Sequence, residues 1–187
     1  MTLKLLRNPN LDWGYYTAPQ KHLKGHPNNR FMLNRGKGLG GSSTLNLNMY
    51  MRGSPYDFDD WANVTGDDSW TYQNLLPFFK RMENYNGSFP NDDLHGRNGP
   101  LSIESPEFAP LKSEWLAAGM ELGYKVKDPN GFQSESIFPI DYTYKRGTRF
   151  STHRAYLNPA MERPNLSVIT YAHVEKIIFE GQNNAVA

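Results

Sequence analysis

Residues 35–60 read RGKGLGGSSTLNLNMYMRGSPYDFDD, and the fold turns on how this stretch is understood. Gly36, Gly38, Gly40 and Gly41 crowd one short loop, and Ser42, Ser43 and Thr44 follow directly. Glycines let the backbone approach another group closely and take up positive φ without a Cβ penalty. Successive free amides in such a loop form a concavity that favours anions, and small hydroxyls add donors at little steric cost. Arg35 and Lys37 place positive charge at its rim. The residues themselves therefore read as a phosphate-cradling loop, with a ligand-free Gly-rich turn as the plain alternative.

Named motifs compete for this loop. Residues 36–41 spell G-x-G-x-x-G. A dinucleotide fingerprint also needs a strand before it and a helix after it. Residues 30–34 make a weak strand at best, and the Asn-rich residues 45–50 are not obviously helical. A P-loop is excluded, because Lys37 precedes the glycines it should follow. A G-x-S-x-G nucleophile elbow is absent, since no Gly stands two residues after Ser42 or Ser43.

The run Gly36-Lys37-Gly38-Leu39-Gly40-Gly41-Ser42-Ser43-Thr44-Leu45-Asn46, then Tyr50, Gly53 and Asp59, resembles the first signature of the glucose–methanol–choline (GMC) family of flavin oxidoreductases. The likeness extends to Asp12-Trp13, Tyr16 and Pro19-Gln20 before it, and to Asp57–Trp61, Trp70 and Leu75–Phe79 after it. It returns at Gly147, Arg149, Ser151, Tyr156-Leu157, Arg163–Leu166 and Val174. It is nearest to the glucose-dehydrogenase-like branch. The resemblance implies FAD as cofactor and hydride removal from the CH–OH group of an alcohol or sugar. It implies cofactor contacts from Arg35, Lys37, Leu39, Gly40, Gly41, Ser42, Ser43, Asn46, Leu47, Asn48 and Met49, with the Val174 backbone at the adenine edge. It implies a mixed α+β or α/β fold: an incomplete piece of a GMC-type FAD-binding domain plus part of its antiparallel-sheet substrate domain. Residues 1–85 would belong to the FAD-binding domain, 86–158 to the substrate domain, and 159–187 would return to the first as strands.

Composition narrows the rest. The 187 residues are 38% hydrophobic with a net charge of +1. That charge gives no global pull toward nucleic acid or acidic membrane. Cysteine is absent, which removes disulfides, thiolate metal sites and a Cys nucleophile. No apolar run is long enough to span a bilayer. The N-terminal Met1–Pro9 run is too short in apolar residues for a signal peptide. Compartment stays open, an extracellular one being compatible with the resemblance.

Residues 1–30 are polar and Pro-rich and read as an extended arm carrying Trp13, Tyr15 and Tyr16. His22 and His26 read as solvated loop residues rather than a metal pair, since Gly25 and Pro27 disfavour a helix. Arg52 is expected to pair with Asp57 or Asp59. Residues 69–85 predict a helix capped by Ser69 or Thr71, with Leu75, Phe79 and Met82 on its packed face. His95 lies in a Gly/Asn/Pro loop and reads as an exposed or backbone-bonding residue. Leu101–Glu104 predicts a strand, and 110–123 a helix with Pro110 at its first turn, Leu111, Trp115, Ala118 and Leu122 on its apolar face, and Gly123 past its end. Phe138, Ile140, Tyr142 and Tyr144 fit a strand face that reads as core. Residues 166–170 and 174–178 alternate and predict two adjacent strands.

Oxidation of an alcohol also needs a base to accept the hydroxyl proton. None of His22, His26, His95, His153 or His173 stands where the family places its catalytic histidine. No catalytic or metal-binding residue is therefore assigned, and the chain reads as an internal fragment lacking a Rossmann turn and the catalytic His. The isolated chain is expected to bind FAD weakly or not at all and to lack turnover. A non-catalytic relic or interaction module, or an independent anion-binding domain, are the other readings.

Overall fold

The computed structural model describes residues 8–132, 134–180 and 184–185. The N-terminal run through Arg7, read above for a leader, lies outside them. Among the described residues, ten short strands pair two by two. β1 (Tyr15–Tyr16) and β2 (Met32–Leu33) form an exposed antiparallel ribbon, so the expected arm is a hairpin. β3 (Glu83–Asn86) and β4 (Leu101–Glu104) run parallel, with Tyr85 opposite Ile103. A parallel pair needs a crossover of about a dozen residues, and here the loop from Gly87 to Pro100 supplies it without a helix.

β3 and β4 carry the core. Tyr85 and Ile103 are wholly buried, packed with Tyr50, Leu101, Phe150 and Ala155 and flanked by Met82. This core draws on both sides of the expected boundary at residue 85, which falls inside β3. Beyond β4 the sheet is extended by single bridges: Tyr142 pairs with Glu104 on one side and Met49 on the other. The stretch Asn48–Tyr50 is thereby an edge strand in all but length, with Thr143 N–H donating to Asn48 O and Tyr50 N–H to Asp141 O.

Two helices precede β3. α1 (Pro55–Thr65) was not anticipated, although its start is written in Ser54-Pro55-x-Asp57. Ser54 Oγ accepts the Tyr56 amide at 3.3 Å and Asp57 Oδ2 accepts the Ser54 amide at 3.0 Å, with Pro at the first position. Ser54→Ala is expected to lower stability by about 1 kcal/mol, read as a shift in urea midpoint at unchanged slope. α2 (Tyr72–Met82) follows, with Leu75, Phe79 and Met82 half-buried as expected. Its cap differs from expectation: neither Ser69 nor Thr71 serves, and the Tyr72 amide donates to Asp59 Oδ1 of α1 at 3.0 Å. Phe58 of α1 meets Tyr72 at 6.2 Å and Phe79 edge-on at 5.5 Å, which ties the two helices together.

α3 (Lys112–Glu121) begins after Leu111, which takes left-handed φ, so Pro110 lies outside the helix. Its packed face is not the expected one. Leu111, Trp115 and Leu122 are exposed, and Gly119 meets Ile137 instead. A Cβ at Gly119 would lie 2.5 Å from Ile137 Cδ1, so close approach to β6 (Ser136–Ile137), which pairs with β5 (Lys125–Val126), decided the face. β7 (Tyr144–Lys145) and β8 (Thr148–Arg149) form a hairpin, followed by a wide helical turn over His153–Leu157 that runs into α4 (Asn158–Ala160). The aromatic stripe at 138–144 is only half-buried, with Tyr142 stacked on Tyr144 at 5.1 Å. The strands expected at 166–170 and 174–178 do not form: both stretches are exposed loop, and only β9 (Phe179–Glu180) pairs, with β10 (Asn184–Ala185). Alternation marks a strand only where a partner edge exists, and among the described residues none faces 166–178.

Candidate functional site

The glycine bend is closed on itself at its base and open at its lip. Gly36 sits so close to Gly41 that a Cβ on it would lie 2.0 Å from the Gly41 carbonyl oxygen. Its amide donates to Ser42 Oγ at 3.2 Å, and Lys37 N–H donates to Leu11 O at 2.8 Å. Asp12 fastens the entry strand by accepting the Arg35 amide at 3.1 Å. Gly38, Gly40 and Gly41 all have positive φ, at 114°, 87° and 52°. Among the described residues the amides of Gly38, Leu39 and Gly40 have no hydrogen-bond partner, and Gly38 and Leu39 are exposed. Three consecutive free donors on a bend of positive-φ glycines are the kind of surface that favours an anion.

A second segment holds the bend from behind. Ser43 Oγ donates to Gly40 O at 2.6 Å and accepts the Thr152 amide at 3.0 Å. The His153 Cβ lies behind Gly40, where a side chain on residue 40 would meet it at 3.0 Å. Arg149 Nη1 donates to Ser43 O at 2.9 Å, Asn46 Oδ1 at 2.8 Å and Asn48 Oδ1 at 2.5 Å, while Nη2 donates to Asn46 O at 2.6 Å. Burial holds the Arg149 pKa below the usual guanidinium value.

Of the residues implied as cofactor contacts, Arg35, Lys37, Leu39, Ser42, Asn46, Leu47 and Met49 are exposed, and Gly40, Gly41 and Ser43 are half-buried. Asn48 is 2% exposed with φ of 62°, so its side-chain oxygen serves Arg149 and its carbonyl serves Thr143. Val174 is exposed on the far loop. The adjacent His173 meets the Trp13 indole edge-on at 5.7 Å, and Lys37 Nζ lies 5.0 Å from the same ring.

Behind this surface lies a buried charge network that the sequence did not disclose. Arg52 Nη2 donates to Glu83 Oε1 at 2.5 Å, which also contacts His95 Nδ1 at 3.0 Å and accepts the Gly96 amide at 2.9 Å. His95 Nε2 faces Asp128 Oδ2 at 2.7 Å, and the imidazole stacks on Tyr85 at 3.5 Å. Arg52 therefore pairs with neither Asp57 nor Asp59, which cap helices instead. His95, at 1% exposure, is a core residue and not a surface one. Burial alone would lower the His95 pKa, but its bonds to Asp128 and Glu83 prevail and raise it. Burial would raise that of Glu83, but His95, Arg52 and the Gly96 amide hold it below its ordinary value. The other histidines do not join: His22 and His26 are exposed loop residues, and no cluster of His, Asp or Glu able to hold a metal occurs among the described residues.

An open, amide-lined bend backed by an arginine bracket is a geometry suited to an anionic group. Comparison with known proteins makes this specific. The GMC oxidoreductase pattern matches residues 16–187. An oxygen-dependent choline dehydrogenase of Staphylococcus saprophyticus is 44% identical over 172 residues, covering 91% of this chain and 30% of that protein. Its counterpart in Ectopseudomonas mendocina is 41% identical, covering 95% of this chain and 31% of that protein. Pyridoxine 4-oxidase from Mesorbium loti superposes with a TM-score of 0.84 at 31% identity, over 96% of this chain and 35% of that one. An FAD-dependent oxidoreductase from Chaetomium thermophilum superposes with a TM-score of 0.79 at 26% identity, over 91% of this chain and 31% of that one. The chain belongs to the GMC oxidoreductase family, and it spans about a third of the length of these relatives. The relatives are choline dehydrogenases, so they carry the family and not the glucose-dehydrogenase-like branch expected from the sequence.

Proposed function

We propose that these residues form part of the cofactor site of an FAD-dependent oxidoreductase acting on the CH–OH group of a small alcohol. The observation that carries this reading is the run of free amides at Gly38, Leu39 and Gly40 on an exposed, left-handed bend. Those amides, with Ser42 Oγ and the Arg35 and Lys37 side chains at the rim, would hold the pyrophosphate. The backbone of Asn46–Met49 and the exposed Leu47 and Met49 side chains would lie against the isoalloxazine, and the Val174 backbone at the adenine. FAD, when bound, accepts the hydride from the substrate carbon. The chain's own part is to bind, orient and shield that cofactor. An alcohol such as choline is favoured over a sugar, because the 44% and 41% identical relatives are named for choline.

The test is to express the protein that carries this chain, add FAD, and record the bound-flavin absorption and its bleaching by choline and by glucose without oxygen. Bleaching by choline and not by glucose is the expected outcome. Absence of any bound flavin would refute the reading. It would favour instead a non-catalytic interaction module, for which the exposed Leu111, Trp115 and Leu122 on α3 give the supporting surface.

A further inference from the structure

We propose that Arg149 is a positioning residue whose task is to shape the stretch Ser43–Asn48 that faces the cofactor; this rests on the FAD reading above. One guanidinium makes four hydrogen bonds at 2.5–2.9 Å to Ser43 O, Asn46 O, Asn46 Oδ1 and Asn48 Oδ1. Every acceptor belongs to one six-residue stretch, and that stretch lies about a hundred residues away in the chain, so the contacts are not a by-product of local geometry. Among the described residues no carboxylate pairs with Arg149. Its charge is answered by neutral oxygens alone, which is an arrangement for fixing the directions of those oxygens rather than for neutralising a charge.

The stretch needs such fixing. Asn48 is a non-glycine residue at positive φ, a conformation that persists only when its surroundings impose it. Arg149 imposes it from the side-chain oxygen, and Thr143 N–H from the carbonyl. Asn46 Oδ1 accepts both Arg149 and the Asn48 amide, so the turn between them is closed through the same guanidinium. With these oxygens drawn inward, Leu47 and Met49 are turned out, each half exposed. The three oxygens on Nη1 share its two hydrogens and the fourth is taken by Nη2, so the rigid fork fixes their directions together; a lysine ammonium, a point donor, does not.

The experiment uses the protein that carries this chain, with Arg149→Lys and Arg149→Ala compared with Ile103→Val, a core truncation away from the bend. Arg149→Lys is expected to weaken FAD binding about tenfold or more and to move the bound-flavin absorption toward that of free FAD. Arg149→Ala shows the same change, and millimolar guanidinium ion restores the wild-type spectrum. Ile103→Val lowers the melting temperature and leaves the flavin spectrum as it was. Wild-type affinity and spectrum in both Arg149 variants would overturn the proposal, as would a spectrum change in Ile103→Val equal to theirs. A wild-type protein without bound flavin would instead overturn the FAD reading on which the proposal stands.

Discussion

Glu83→Gln is expected to lower the free energy of unfolding by about 3–5 kcal/mol, because it leaves the buried Arg52 charge without its counter-ion. The substitution keeps the shape of the side chain, so the loss is electrostatic. Both side chains of the pair are at most 1% exposed, and Arg52 Nη1 and Glu83 Oε2 already lack hydrogen-bond partners, so no spare donor or solvent can take over. Asp92→Asn gives the contrast. It breaks an ion pair of similar length, Arg97–Asp92 at 2.8 Å, but in solvent, and the expected cost is at most about 1 kcal/mol. Urea unfolding of both variants reads the difference directly; equal small losses would show that the network is not a structural centre. The network also sets a pH signature. Glu83, held below its ordinary 4.5, contributes fully above that value and loses its contribution as pH falls through the depressed one. His95, held above its ordinary 6.5, contributes fully below that value and loses its contribution as pH rises through the raised one. Stability from this source is therefore greatest between the two ordinary values and declines on the alkaline side. In Glu83→Gln the alkaline decline is shallower.

Gly36→Ala is expected to reduce FAD affinity at least a hundredfold, about 2.7 kcal/mol, while the far-ultraviolet circular dichroism stays as in the wild type. The added methyl would stand 2.0 Å from the Gly41 carbonyl oxygen and 2.6 Å from the Ser42 amide nitrogen, both backbone, so the two limbs of the bend must part. Parting them removes the Gly36–Ser42 hydrogen bond and turns the free amides of Gly38 to Gly40 away from a common centre. The core around Tyr85 and Ile103 includes none of the bend's residues and keeps the secondary structure. Equilibrium dialysis against FAD makes the measurement. Retention of wild-type affinity would mean that the cofactor is held elsewhere.

What the sequence disclosed and what it hid follow one rule. Features set by residues close in sequence were legible: the glycine bend from its own glycines, β4 from the alternation of Leu101–Glu104, and the packed face of α2 from Leu75, Phe79 and Met82. Even the missed α1 was announced locally, by Ser54 and Asp57. Features set by distant partners were not legible. Arg52 has two aspartates nearby, and its true partner, Glu83, is distinguished only by the arrival of β3 and the crossover loop. His95 stands among turn residues, yet Tyr85 and Asp128 enclose it. Trp115 and Leu122 have helical period, but Gly119 permits the closer approach and wins the contact with Ile137. The candidate site divides in the same way: Gly36–Ser43 could be named from the sequence, while the roles of Arg149 and Thr152 appear only when the chain returns to them.

That return has a temporal side. Ser43 meets Thr152 across 109 residues, and Asn48 meets Arg149 across 101. A ribosome adding about 5–20 residues per second needs on the order of 5–20 s between making the bend and making its bracket. During that interval the segment has its local contacts to Leu11, Asp12 and Ser42, but the long loop that brings Arg149 and Thr152 to it has yet to close. The stretch Ser43–Asn48 would therefore be fixed late, and any nonsense codon or proteolytic cut ahead of residue 149 would leave the base of the bend closed by Ser42 and Leu11 but the stretch after it without its bracket.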